Sequence, residues 1–179
     1  EDKLSEWYDL MLHYSRKKDT VKTIFYAENI LKTVNTDKEL FRFEANILSS
    51  TLKFYASFIQ KKNPEEAIHF LDKAIGVQNT YEAIFFTKSF AFKLYKVKLL
   101  LEVGNYVEAS LLLKELNTIS ENEEISNRFQ LAVLNAKTAE MLHENEISKN
   151  YFDHAFTILN NSTATIESLK IDGLKPLIS

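Results

Sequence analysis

Between Leu99 and Leu116 the chain reads LLLEVGNYVEASLLLKEL. Leu94, Val97, Leu100 and Leu101 recur at spacings of three and four, the stripe of an amphipathic helix. Gly104 then offers the left-handed conformation that ends a helix. Asn105 follows as a helix N-cap, with Glu108 three residues on as its reciprocal partner. Ala109, Leu112, Leu113 and Leu116 make a second stripe. So short a connection predicts two adjacent antiparallel helices, with small Ala109 where they approach closely.

The same pattern recurs along the chain. NPEEAIHFLDKAI places Asn63 at an N-cap and Pro64 at the first helical position, where its missing N–H costs nothing. Glu66 completes the cap, and Ala67, Phe70, Leu71 and Ala74 form the stripe. The helix before it is expected to open at Thr36, with Glu39 three residues later. Ser120 with Glu123 opens another, running to about His143, and Ser148, Phe152 and Ala155 stripe its successor. Near the start, a turn at Asp19 and Thr20 precedes Ala27, Ile30 and Val34 on an inner face. The periodicity predicts helices over residues 3–18, 20–34, 37–61, 64–77, 80–103, 105–118, 122–143 and 145–160.

The small residues of the second helices are Ala27, Ala67, Ala109 and Ser148, separated by steps of 40, 42 and 39. Seven residues after each stands Val34, Ala74, Leu116 or Ala155. A period of this size is the mark of a solenoid, in which amphipathic hairpins bury their faces against their neighbours. The expectation is an all-α domain over residues 1–160, with hairpins over 3–34, 37–77, 80–118 and 122–160. Residues 161–179 are read as a cap or the start of a further repeat.

GNYVEASLLLKEL and NPEEAIHFLDKAI resemble the turn and second helix of a tetratricopeptide repeat. Gly104, Asn105, Tyr106, Glu108, Ala109 and Leu113 match that pattern, as do Asn63, Glu66, Ala67, Leu71 and Ala74. The resemblance implies a right-handed superhelical array whose concave surface is lined by the first helices. The first and fourth hairpins match in period and small-residue placement only. The period also departs from the family's ~34 residues because the first helices are long. The aromatic and glycine signature of those helices is mostly missing. Long degenerate repeats of this kind occur in scaffold subunits of large eukaryotic assemblies and in bacterial peptide-pheromone receptors.

Composition narrows the chemistry. Three glycines and two prolines are too few for a β-rich chain of this length, and no glycines cluster as a phosphate-binding loop requires. There is no cysteine, which excludes disulfides, thiolate zinc sites and a cysteine nucleophile and fits a reducing compartment. The 22 basic and 25 acidic residues are interspersed, giving a net charge of -3, so no nucleic-acid partner is expected. No apolar stretch is long enough to span a membrane. The opening EDKLSEWYDL lacks Met and a signal-peptide pattern and is read as a processed start or part of a longer chain. The expected setting is intracellular, cytoplasmic or nuclear. Overlapping sequons in NNST, residues 160–163, are read as a polar loop.

Candidate chemistry is sparse. His143 and His154 lie eleven residues apart on different predicted helices, and capping explains the first-turn glutamates without an acid/base pair. No catalytic residue, metal ligand or cofactor is expected. In the register implied by the resemblance, positions eleven residues before each marker are Arg16, Ala56, Lys98 and Lys137, a largely cationic row. Leu52, Leu94, Val133 and Leu101 would supply an apolar floor. A carboxylate or acidic peptide segment would suit such a groove; the alternative is that the basic residues are simply solvated. A second candidate is an aromatic flank of Tyr81, Phe85, Phe86 and Phe92, in the run YEAIFFTKSFAFKLY. Its alternative is a central helix packed on both sides. Interface energy concentrates in such rings.

The expected function is a non-catalytic protein- or peptide-binding scaffold, part of a larger assembly, using the groove or the aromatic flank. Exposed ends could also support self-association. The competing reading is a peptide-sensing regulatory domain of the pheromone-receptor type. It would use Asn or Arg side chains, with Asn46, Asn127 and Asn135 as candidates, to hold a peptide backbone.

Overall fold

The computed structural model describes residues 2–34, 38–81 and 89–161. Within them lie eight α-helices and no strand. They are α1 (Asp2–Arg16), α2 (Thr20–Thr33), α3 (Arg42–Ile59), α4 (Pro64–Thr80), α5 (Phe90–Glu102), α6 (Tyr106–Ile119), α7 (Ile125–Met141) and α8 (Asn145–Asn160). No helix among the described residues is long and apolar enough to cross a membrane.

Three of the four hairpin turns are one motif. Lys18, Gly104 and His143 each adopt positive φ, at 59°, 78° and 62°. In each turn the next residue's N–H reaches back five positions. Asp19 donates to Tyr14 O at 3.0 Å, Asn105 to Leu100 O at 2.8 Å, and Glu144 to Ala139 O at 2.8 Å. The left-handed residue itself donates to the carbonyl three positions back. This paired pattern is the Schellman motif, which satisfies carbonyls left over at a helix end. The residue after it is already the N-cap of the next helix. The α3–α4 turn is different. Asn63 N–H donates to Ile59 O at 2.8 Å, and Pro64 starts the next helix.

The caps read from sequence hold at Asn63 and Asn105. Asn105 Oδ1 accepts from Glu108 N–H at 3.3 Å, and its Nδ2 donates to Glu108 Oε2 at 2.8 Å. Asn63 and Glu66 repeat this at 3.2 and 2.9 Å. Two other expected starts are corrected. α3 opens at Arg42, because Phe41 N–H donates to Glu44 Oε2 at 2.9 Å and Leu40 N–H donates to the Tyr81 hydroxyl at 2.9 Å. Glu39 is therefore not helical, and Thr36 lies outside the described residues. α7 opens at Ile125, after a 3-10 turn over Ser120–Asn122. The Ser120 hydroxyl donates back to Asn117 O at 3.2 Å instead of capping forward. α4 also continues through Thr80 and α5 begins at Phe90, while residues 82–88 of the helix expected over 80–103 lie outside the described residues.

The chain divides into two compact units, Glu1–Phe92 and Lys93–Ser179, with the boundary inside α5. In the first unit α1 pairs with α2, α2 with α3, and α3 with α4. Met11, Ala27, Ile30, Ala45, Leu52 and Ala74 form its buried core, and Trp7, Tyr8, Tyr26 and Phe70 pack around them. In the second unit α7 pairs with α8 and also meets α6. Phe129, Ala132 and Val133 of α7 pack with Ala155 and Ile158 of α8. The four periodic small residues, Ala27, Ala67, Ala109 and Ser148, are all buried. Close helix approach at these positions removes water from both backbones, and a larger side chain there would force the helices apart.

α5 and α6 are tied by two ion pairs. Lys93 Nζ lies 2.6 Å from Glu115 Oε1, and Lys96 Nζ lies 2.7 Å from Glu108 Oε1. The lysine side chains are only 15% and 13% exposed, so these ammonium groups are held in place of much of their water.

Candidate binding surfaces

The cationic row divides on inspection. Arg16 is exposed at the end of α1 and lines an open depression of about 660 Å³, whose lining among the described residues, Glu6, Asp9 and His13 included, comes from α1. That is one face of a helix, not an enclosed cleft. Lys98 is exposed on α5 and Lys137 half-buried on α7. Ala56, the second-hairpin position of the same register, is buried.

The apolar floor is corrected. Leu52, Leu94 and Val133 are 4%, 2% and 5% exposed, so they belong to the interior and offer a ligand no surface. Leu101 is half-buried. The register fails because α5 buries more than one face. Leu94 and Leu99 sit five positions apart, about 140° around a helix, and both are buried. An apolar residue on such a helix does not mark a groove.

The aromatic flank is partly accounted for. The Tyr81 hydroxyl accepts the Leu40 N–H, so this ring anchors the segment ahead of α3. Phe85 and Phe86 lie outside the described residues. Phe90 is buried. Phe92 is half-buried on the first unit's core, and Lys53 Nζ stands 4.8 Å from its ring centroid. Lys53, on α3, was not singled out from the sequence. Its signal was there, a lysine between Leu52 and Phe54 within an apolar run. Burial pushes its amine below the usual lysine range.

A second aromatic group joins α2, α3 and α4. The Tyr55 and Phe70 rings meet edge to face with centroids 4.8 Å apart, and the Tyr55 hydroxyl donates to Glu28 Oε1 at 3.4 Å. Burial raises the Tyr55 phenol, and the charges of Glu28 and Glu66 raise it further. In the second unit, Tyr95 is pushed up to about 12 by burial and by the charge of Glu102.

Of the asparagines, Asn46 is exposed and Asn127 Nδ2 donates to Glu123 Oε2 at 2.9 Å. Asn135 is buried and bonded to Asn117 and to Leu131 O, so its amide is already engaged. His69, His143 and His154 are exposed, and among the described residues no three His, Cys, Asp or Glu side chains converge on a metal position. Apolar side chains do reach solvent on the second helices. Val21 and Phe25 are one turn apart on α2, and Val107 and Leu111 one turn apart on α6.

No protein-family model matches the chain, and comparison with the curated proteins finds no match.

Proposed function

We propose that the chain is a protein- or peptide-binding scaffold module, built as a right-handed array of tetratricopeptide-like hairpins and working without catalysis inside a larger assembly. The observation that carries this reading is the recurrence of one turn. Lys18, Gly104 and His143 occupy the same left-handed position, and buried small residues follow at a near-constant period. Repetition of a hairpin yields extended surface, and extended surface is what repeat proteins use to bind. Exposed Lys98 and half-buried Lys137 remain the groove residues of this reading, with Phe92 on the aromatic side. The reading includes an intracellular setting, cytoplasmic or nuclear.

The test is affinity capture from native lysate, with wild type beside the Lys98→Glu/Lys137→Glu double variant and circular dichroism as the folding control. A partner recovered by wild type and lost by the variant supports the module and its cationic groove. A partner kept by both moves the site to the aromatic side. Recovery of nothing above background by either protein, across several lysates, overturns the reading.

A further inference from the structure

Two pairs of apolar side chains stand clear of the surface, and their surroundings differ. Val21 and Phe25, on α2, are 80% and 58% exposed, and Val107 and Leu111, on α6, are 71% and 62% exposed. Around the α6 pair, residues 102–115 hold Glu102, Glu108 and Glu115 against Lys114. Beside the α2 pair, residues 16–22 hold Arg16, Lys17, Lys18 and Lys22 against Asp19, which pairs with Lys22 at 3.8 Å. All four cations are exposed. The Schellman turn at Lys18 fixes Lys17 and Lys18 just ahead of α2. α4, α6 and α8 each carry glutamate in the first turn, as the helix dipole favours, whereas α2 carries none and has Lys22 there. The stability of α2 therefore does not account for this charge. Lys22 Nζ stands 4.6 Å from the Tyr14 ring centroid, and the Tyr14 ring stacks on Tyr26 at 5.7 Å. Both tyrosine rings are thus engaged within the hairpin, and Val21 and Phe25 are left as its protruding apolar groups.

We propose that the α1–α2 turn docks the chain on an anionic lipid bilayer, with Val21 and Phe25 entering the headgroup boundary and the four cations meeting the lipid anions. This surface is separate from the groove of the binding-module reading and adds to it. The protruding valine and phenyl ring gain from apolar surroundings, and the cations beside them gain from negative charge. The boundary of an anionic membrane supplies both at one depth. A lipid surface also moulds around protruding side chains, whereas a folded partner would have to bring a cavity for them. Single-stranded nucleic acid binds by base stacking, but Val21 has no ring and Tyr14 and Tyr26 already stack on each other. The whole chain carries a net charge of -3, so general attraction to an anionic surface is lacking. Contact therefore depends on this turn, which fixes the side of the hairpin that meets the lipid.

The experiment floats the whole chain with extruded vesicles of phosphatidylcholine containing about one-third phosphatidylserine, beside vesicles of phosphatidylcholine alone, in ~0.1 M salt. The expected result is binding to the anionic vesicles alone. Lys17→Gln/Lys18→Gln should weaken it about 25-fold, or about fivefold per lysine. Val21→Ser/Phe25→Ser should weaken it about tenfold or more through lost apolar burial, and Phe25→Trp should keep it. Val107→Ser/Leu111→Ser should leave it unchanged. Circular dichroism checks that each variant is folded. Wild type that shows no preference for the anionic vesicles overturns the proposal. Undiminished binding by Val21→Ser/Phe25→Ser also overturns it, since that reports ionic attraction without insertion. Equal weakening by Val107→Ser/Leu111→Ser overturns it because any exposed apolar pair would then serve. Wild type that ignores the vesicles and binds a labelled oligothymidylate through the same residues overturns it in favour of nucleic acid.

Discussion

Asn117, near the end of α6, and Asn135, on α7, exchange their amides, each Nδ2 donating to the other's Oδ1 at 3.1 Å. Asn135 also donates to Leu131 O at 2.9 Å, so every polar atom of this buried side chain is engaged. Asn117 is the half-exposed member, yet its removal should cost the more conspicuous penalty. Asn117→Ala leaves the Asn135 carbonyl buried with its donor gone, a loss of about 1–3 kcal/mol. Replacing both by Leu removes the unmet group as well, so the double variant should lose less than the two single Leu variants added together. Urea unfolding of the four proteins measures this directly. Strict additivity would show that the two amides do not depend on each other.

The turns give a second prediction. Gly104, at φ 78°, occupies a conformation that costs an L-residue about 1–2 kcal/mol. Gly104→Ala should therefore destabilise by about 1 kcal/mol. His143 and Lys18 already bear that cost at φ 62° and 59°. His143→Gly relieves it and loses part of the gain to the greater freedom of glycine in the unfolded chain. Its expected effect is stabilising and under about 1 kcal/mol, read as a rise in melting temperature. A melting temperature lowered by His143→Gly would mean that the imidazole contributes more than the backbone strain costs.

These turns also show where the sequence was readable. Gly-Asn with Glu three residues later is a local signal, and the helix ends at Gly104 and starts at Tyr106 as that signal requires. His143 and Lys18 fill the same left-handed position without being glycine, so only the period hinted at them. Thr36 and Glu39 suggest too early a start for α3, because Glu44 closes locally on the Phe41 N–H and the Tyr81 hydroxyl, 41 residues from Leu40, holds the Leu40 N–H outside the helix. The binding surface was least legible. A fixed eleven-residue register treats every first helix as having one buried face, whereas α5 buries both Leu94 and Leu99. Lys53 was missed for the same reason, since it faces Phe92 from a position the register did not count.

Glu108 performs two tasks that Glu66 does not combine. Both carboxylates accept from the N-cap asparagine of their helix, at 2.8 and 2.9 Å. Glu108 Oε1 also meets the largely buried Lys96 at 2.7 Å. Glu66→Ala should cost about 0.5–1 kcal/mol, the usual worth of a capping contact. Glu108→Ala should cost more, about 2 kcal/mol, because it also strips a charge from a desolvated ammonium. The excess should persist in 1 M salt, where the Debye length is about 3 Å and exposed pairs are screened. Equal losses for the two variants would show that Lys96 gains nothing from Glu108.

Tyr95 ties stability to alkaline pH. Its phenol is pushed up to about 12, against an ordinary value of about 10, by burial and by the charge of Glu102. The folded chain thus holds this proton more tightly than the unfolded chain does. By linkage, the contribution is fully present below pH ~10 and is lost as pH rises from there through about 12. Two full pKa units would be worth about 2.7 kcal/mol, but Tyr95 is half-buried and solvent screens the interaction, so about 1 kcal/mol is expected. Tyr95→Phe removes the titrating group. Its stability should therefore fall less between pH 10 and 12 than that of the wild type. Absorbance titration near 295 nm should show one late tyrosine missing from the variant. If Glu102 contributes as its position implies, Glu102→Gln should move that late step to lower pH. A late step unmoved by Glu102→Gln would assign the whole shift to burial.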